Sequence, residues 1–242
     1  MSVKKFDEKV IQLNNHVAFC VPTTSRNRDW SSFEDSYLNQ ILLPTINVIK
    51  YCPVLYIGYD NYDKVFGKKE NRPERYQNYH LKWYGFNNDY AGNPCAIWTD
   101  LCKYAIADGI EYMFVCGDDI SLDQKTHWLD IFISKLKHNN NIGYSAGWSN
   151  NNEIPTQFLV HKTHLDIFGW MYPTQIKNYY CDNFIYELYG KKYGNWEKEY
   201  QHLNVGGTPR YDPLNDRTLC SILVRKNKKV LNSYIDKNKL RK

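Results

Sequence analysis

The sequence offers no membrane segment: nowhere in its 242 residues is there an apolar run near the roughly 20 positions a spanning helix needs. Mean hydropathy is −0.64, in keeping with that lack. Residues 1–9 are polar and of mixed charge, without the apolar core of a secretory signal, so a cytoplasmic protein is expected. C-x-x-C spacing is missing, and the seven cysteines are an odd number. Several, including Cys20, Cys116 and Cys181, sit in apolar surroundings and read as reduced, mostly buried thiols. Thirteen glycines without a period exclude a collagen-like chain, and no internal repeat is visible. Charge of one sign is not in great excess either, with 31 Lys+Arg against 26 Asp+Glu for a net +5. Nucleic acid is therefore not the expected partner, and the basic stretch 225–242 reads as a solvated tail.

What remains is a globular composition, 43% hydrophobic and 24% charged, with a surplus of aromatics at 16% and 21 tyrosines. At about 150 residues per domain the length suits one large domain or two small ones. His16 to Val21 reads as a buried strand that stops at Pro22 and the polar run Thr23-Thr24-Ser25-Arg26. A helix is expected next, capped by Ser31 or Ser32, followed by a strand from Val54 to Gly58 and a mobile loop over 64–78. Strands near Leu81–Phe86, Glu111–Cys116 and Ile142–Gly147 alternate with helices after Pro94 and Trp128. That alternation predicts an α/β fold with ligands at the carboxyl ends of parallel strands. The pattern blurs after Asn150, so the last third is expected to be a mixed subregion packed on the sheet.

Gly117-Asp118-Asp119 is the sharpest chemical feature. Two adjacent carboxylates leaving a buried strand repel each other unless a donor or cation stands near. A hard divalent ion completed by substrate phosphate meets that need; an acidic turn with Asp119 or Ser121 capping a helix also fits. Thr23-Thr24-Ser25-Arg26 and Asp60 fall on the same sheet edge in such a fold, where hydroxyls and arginine suit a diphosphate or ribose and Asp60 suits a base N–H.

Pro22-Thr23-Thr24-Ser25-Arg26, Asp60 and Tyr112-Met-Phe-Val-Cys-Gly-Asp-Asp-Ile120 together resemble a GT-A fold glycosyltransferase, most of all the small glycosyltransferases of large DNA viruses. The resemblance implies a Rossmann-like, mostly parallel central sheet flanked by helices, with a mixed acceptor-side subregion. It implies one domain over 1–224, with a nucleotide half to about 150 and an acceptor half to 224, then the tail. The family commonly carries a triple aspartate, and Gly117 departs from it at the first position. By resemblance Asp119 holds Mn2+ or Mg2+ and Asp118 faces the sugar or ribose, while Pro22, Thr23, Thr24, Arg26 and Asp60 hold the nucleotide. The run from Phe158 to Trp170 and Tyr179-Tyr-Cys-Asp-Asn-Phe184 resembles the acceptor half, which puts Asp182 in the place of the functional carboxylate; helix capping suits it too. Gln201 to Tyr211 resembles the loop that returns over the diphosphate, with His202 as a third metal ligand and Arg210 on the phosphates. His161 and His164 compete with His202 for that role, and Trp148, Trp170 and Tyr180 are the candidate acceptor-binding aromatics.

The expected reaction moves a sugar from a UDP- or dTDP-linked donor to a glycan or other hydroxyl acceptor, in the cytoplasm, or the host's if the chain is viral. Asp182 would deprotonate the acceptor if the reaction inverts and would position a substrate if it retains. Three other readings stand beside it. Gly-Asp-Asp also resembles the motif of RNA-dependent RNA polymerases, for which this chain is too short. A sugar nucleotidylyltransferase would want a Gly-rich basic loop where Thr23-Thr24-Ser25 stands. A non-catalytic carbohydrate- or nucleic-acid-binding protein fits the absent aspartate and the aromatic surplus.

Overall fold

The computed structural model describes residues 16–48, 51, 53–151, 153–208, 210 and 216–240; the polar opening 1–9, Asn152, Tyr211 and residues 241–242 lie outside them. Strand β1 (Val17–Thr23) extends the apolar run through Pro22 to Thr23. The helix expected from Ser31 or Ser32 starts late, as a wide turn at Leu38–Leu42 that passes into a helical turn at Leu43–Thr45. The reason is Asp35: its Oδ2 accepts from Ser31 N, Ser31 Oγ and Ser32 N at 2.8, 2.7 and 3.1 Å, so both serines donate to a local turn instead of capping a helix.

Then come β2 (Val54–Asp60), β3 (Arg75–Tyr76), β4 (Tyr79–Phe86), helix α1 (Pro94–Ala107), β5 (Tyr112–Val115) and β6 (Ile120–Ser121). Helix α2 (Trp128–His138), β7 (Tyr144–Trp148), β8 (Phe158–His161), α3 (Thr163–Phe168) and α4 (Cys181–Tyr193) follow. The chain closes with β9 (Gly194–Gln201), β10 (Leu203–Asn204) and α5 (Arg217–Lys237). Residues 64–78 are tied down: Val65 and Phe66 are fully buried, and the Phe66 ring stacks on Trp83 at 5.7 Å.

The large sheet has eight strands in the order β3-β4-β2-β1-β5-β8-β7-β9. Strands β4, β2, β1 and β5 are parallel, β8 is antiparallel to both β5 and β7, and β9 runs parallel to β7. A small ribbon pairs β6 with β10. Side-chain alternation splits the core in two: Ala18 and Cys20 face one layer, Val17, Phe19 and Val21 the other. Helix α1 lies so close on the first face that a Cβ at Gly58 of β2 would overlap Ile97 Cγ2.

Of the expected tail, the stretch 225–237 is not free. It is the second half of α5, in which Cys220, Leu223, Val224, Asn227, Leu231 and Ile235 are buried at helical spacing, and α5 packs on α3 and α4. Its lysines occupy the opposite, exposed face. Among the described residues, no helix is long and apolar enough to cross a membrane.

Candidate functional site

Because β4, β2, β1 and β5 run the same way, their carboxyl ends share one edge, and β7 ends there too after two reversals. A cavity of about 420 Å³ opens along that edge. Of the residues expected at a site, Pro22, Thr23, Thr24, Arg26, Asp60, Asp119, Asp182 and Arg210 line it. Asp182 arrives on the first turn of α4, and Arg210 on the loop after β10.

Asp118 does not face the cavity. It is fully buried, its Oδ2 accepting from Thr23 Oγ1 at 2.6 Å and from Arg210 Nη1 at 2.8 Å, with Arg210 Nη2 on the other oxygen. Such a carboxylate is neutralised inside the protein and braces the loop that carries Arg210. Arg210 Nη1 also donates to Thr24 O at 3.1 Å, which ties that loop to the end of β1.

Asp119 is the carboxylate of the motif that lines the cavity, with Arg210 Nη2 3.6 Å from its Oδ2. Burial and the neighbouring Asp118 push its carboxyl up to about 6, against the pull of Arg210 and Arg28. It lies between two glycines: a Cβ on Gly117 would come within 2.6 Å of Oδ1, and one on Gly206 would overlap Oδ2. The Asp119 carboxylate thus leans over the bare backbone of Gly117.

Asp182 faces the cavity with Cys181 Sγ 3.5 Å from its Oδ1, and burial pushes its carboxyl up to about 7. The cap position of α4 belongs to Tyr180, held at φ 64°, and not to Asp182.

Several expected ligands fall elsewhere. His202 is fully buried against Phe114, Trp128 and Phe132, its ring centroid 5.6, 4.7 and 5.8 Å from theirs. Its Nδ1 accepts from Asp123 N at 3.2 Å, and burial holds it neutral, down at about 3. It packs among aromatic rings, off the cavity lining, and does not share a site with Asp119 as expected. His161 is occupied by Thr163 Oγ1 at 2.7 Å, and His164 by the Tyr189 hydroxyl at 2.7 Å and Met171 O at 3.0 Å.

The three expected acceptor aromatics are also outside the cavity lining. Trp170 stacks on Phe168 at 5.1 Å, Trp148 sits half-buried with its carbonyl on His202 N, and Tyr180 lies beneath Arg217. Phe86, Tyr90 and Trp98 supply the aromatic wall instead. Trp98 shares the face of α1 that buries Cys95, Cys102 and Ala105, a spacing visible in the sequence. Its indole N–H donates to Cys20 O and Cys116 O, both at 3.1 Å, where β1 and β5 begin to part.

Asp63 is a further residue of this edge, unmarked by any motif. It accepts from Thr24 Oγ1, Ser25 N and Ser25 Oγ at 3.0, 2.6 and 2.8 Å, and so shapes the loop after β1. Burial pushes its carboxyl up, but the N–H groups of Phe66, Ser25 and Val65 and the Ser25 hydroxyl pull it below the ordinary carboxylate value. Arg28 holds the opposite loop, donating from Nη2 to Gly206 O at 3.0 Å and Thr208 O at 2.6 Å.

Among the described residues, no group of three or more His, Cys, Asp and Glu side chains is placed to hold a metal ion. A protein-only cage is therefore not built here. One hard cation shared between the Asp119 carboxylate and oxygens of a bound phosphate is compatible with the donor set.

No protein-family profile matches the chain, and no curated protein matches it in sequence. Solved structures of S. aureus TarS do resemble it. The TarS 1–349 structure in complex with UDP-GlcNAc aligns over 88% of this chain and 66% of its own, with a TM-score of 0.54 at 12% identity. The same segment in a second structure aligns over 77% and 60%, with a TM-score of 0.50 at 13% identity. A longer TarS structure aligns over 77% of this chain and 36% of its own, with a TM-score of 0.50 at 12% identity. This chain thus spans well under the full length of those proteins, and the likeness is one of fold: the mostly parallel, helix-flanked α/β architecture expected from the sequence is the architecture found.

Proposed function

We propose that the chain is a glycosyltransferase that moves a sugar from a uridine- or thymidine-linked nucleoside diphosphate to an acceptor hydroxyl. The observation that carries this reading is the order of charges along one sheet edge: Asp60 beside Arg26, then Asp119 beside Arg210, with Asp182 across the same cavity. A structure of the same fold binding UDP-GlcNAc supports it.

In this reading Thr24, Arg26 and Asp60 hold the nucleoside end, and Arg210 meets the diphosphate as a fixed cation that develops no reorganisation cost during the reaction. Asp119 would hold Mn2+ or Mg2+ against the phosphates, and that ion would offset charge on the leaving diphosphate. Asp182, with a carboxyl near neutrality, is suited to take a proton from an acceptor hydroxyl if the anomeric centre inverts. Buried free thiols at the six described cysteines suit a reducing, cytoplasmic setting.

The test is calorimetric titration of the whole chain with UDP and dTDP, with and without Mn2+, beside release of UDP from UDP-sugars. Binding strengthened by Mn2+ is expected, and Asp119→Ala should lose both that increment and turnover while keeping a cooperative melt. Absence of binding by any diphosphate nucleotide would overturn the reading; full turnover by Asp119→Ala would remove the ion from Asp119.

A further inference from the structure

We infer that the acceptor is an uncharged saccharide, seated at the β8–β7 end of the cavity on a wall of side-chain amides that begins beside Trp98. The inference rests on the transferase reading above and names the substrate class that the second half of the same cavity fits.

Strand order fixes which side chains meet a ligand as it extends along the edge. From β4 to β5 the lining carries the charges of Asp60, Arg26, Asp119 and Arg210, with Asn87 and Asn93 beside them. A second, open cavity of about 570 Å³ adjoins this end through Thr24, Arg26 and Asp60, and it adds Arg28 and Lys64. Beyond β5 the character changes. The segment entering β8 brings Thr156 and Gln157, the segment leaving β7 brings Asn150 and Asn151, and β10 brings Asn204. These are hydroxyl and amide groups. Among the described residues, the cationic side chains that line the main cavity are Arg26 and Arg210, and both belong to the donor end.

That partition selects by charge. Among the described residues, a uronate, sialate or phosphate seated at the amide end would meet the Asp182 carboxylate and no cation, and desolvating it there is unfavourable. Neutral sugar hydroxyls both donate and accept, which is what an amide offers in return. The wall is also held in place. Asn150 Nδ2 donates to Asn204 O at 2.6 Å and its Oδ1 accepts from Asn204 N at 3.1 Å, while Gln157, only 3% exposed, donates from Nε2 to Thr156 Oγ1 at 2.6 Å. Trp98, fixed by its two carbonyl partners where β1 and β5 part, keeps a constant attitude toward the C–H face of a sugar at the start of this wall, whereas Phe86 and Tyr90, at and after the end of β4, belong to the donor end.

The experiment probes an array of neutral, uronate-bearing, sialylated and phosphorylated oligosaccharides with the labelled whole chain in UDP and Mn2+. UDP binding by the same preparation is measured in solution. Retention should favour neutral members at least tenfold. Asn151 is exposed on the rim, and Asn151→Lys should move the preference at least tenfold toward uronate-bearing members. A preparation that binds UDP yet retains anionic glycans equally, or retains none, overturns the neutral site and leaves the transferase reading standing. Neutral glycans retained by a chain that binds no UDP would do the reverse, and an Asn151→Lys chain that binds UDP with unchanged glycan preference would also overturn the site.

Discussion

Arg210→Met removes one cation from a loop, and the effect should reach the stability of the whole domain. The guanidinium is 12% exposed and its partner Asp118 is fully buried, 2.8 Å from Nη1. At an effective dielectric near 20, two unit charges about 3 Å apart attract by roughly 5–6 kcal/mol before desolvation is counted. Breaking such a pair from one side typically costs about 3–5 kcal/mol, because the surviving charge stays buried. Thr23 still donates to Asp118, a bond worth about 1 kcal/mol, so the lower end, about 3 kcal/mol, is expected. Urea unfolding followed by tryptophan fluorescence should show a lower midpoint with an unchanged slope. Asp118→Asn in the Arg210→Met background should recover roughly 1–2 kcal/mol, since it discharges the stranded carboxylate. A loss below about 1 kcal/mol in Arg210→Met, or strict additivity in the double variant, would refute the brace.

Asp182→Asn should abolish most turnover yet raise the melting temperature at pH 8. The folded carboxyl sits at about 7, above the ordinary value near 4, so the folded chain binds the extra proton between those limits and loses stability as pH rises through them. Wild-type kcat should climb with pH through about 7; a flat profile, or a lower melting temperature for the amide at pH 8, would count against this assignment. Gly206→Ala should push the Asp119 carboxylate aside and cut turnover with little change in melting; unchanged kinetics would mean that the carboxylate's position is not needed. Deleting the chain after Val224 removes the buried Leu231 and Ile235, each worth about 1.5–3 kcal/mol, and circular dichroism should show a large drop in the thermal midpoint. An unchanged midpoint would make the second half of α5 dispensable.

Strands β1, β2 and β5 were legible because parallel strands covered on both faces are written as apolar runs. Strand β9 was not: Gly194–Gln201 is an edge strand, only Tyr200 in it is buried, and its sequence carries no such run. Helix α5 was hidden by its lysines, since the burying stripe from Cys220 to Ile235 includes Asn227 and is diluted by the solvent face. In the site, Asp60, Asp119 and Asp182 could be chosen because each follows a strand or opens a helix, and sheet topology then brings them together. Asp118 could not be placed, because what turns it inward is Arg210, 92 residues away. His202 illustrates the same limit: its aromatic enclosure is assembled from β5 and α2, and no local spacing announces it.

The six described cysteines are all buried and stand on five different elements or their ends, although five of them share one core layer: Cys20 on β1, Cys95 and Cys102 on α1, Cys181 on α4 and Cys220 on α5, with Cys116 after β5 in the other layer. Burial raises the thiols of Cys20 and Cys116, so an alkylating reagent meets few thiolates while the fold is closed. Labelling rates resolved by peptide mapping would therefore record how often each element opens, strand by strand and helix by helix, with no engineered probe. Cys181 has a second use. It lines the cavity beside Asp182, so its protection by nucleotide or saccharide would report occupancy from within the site.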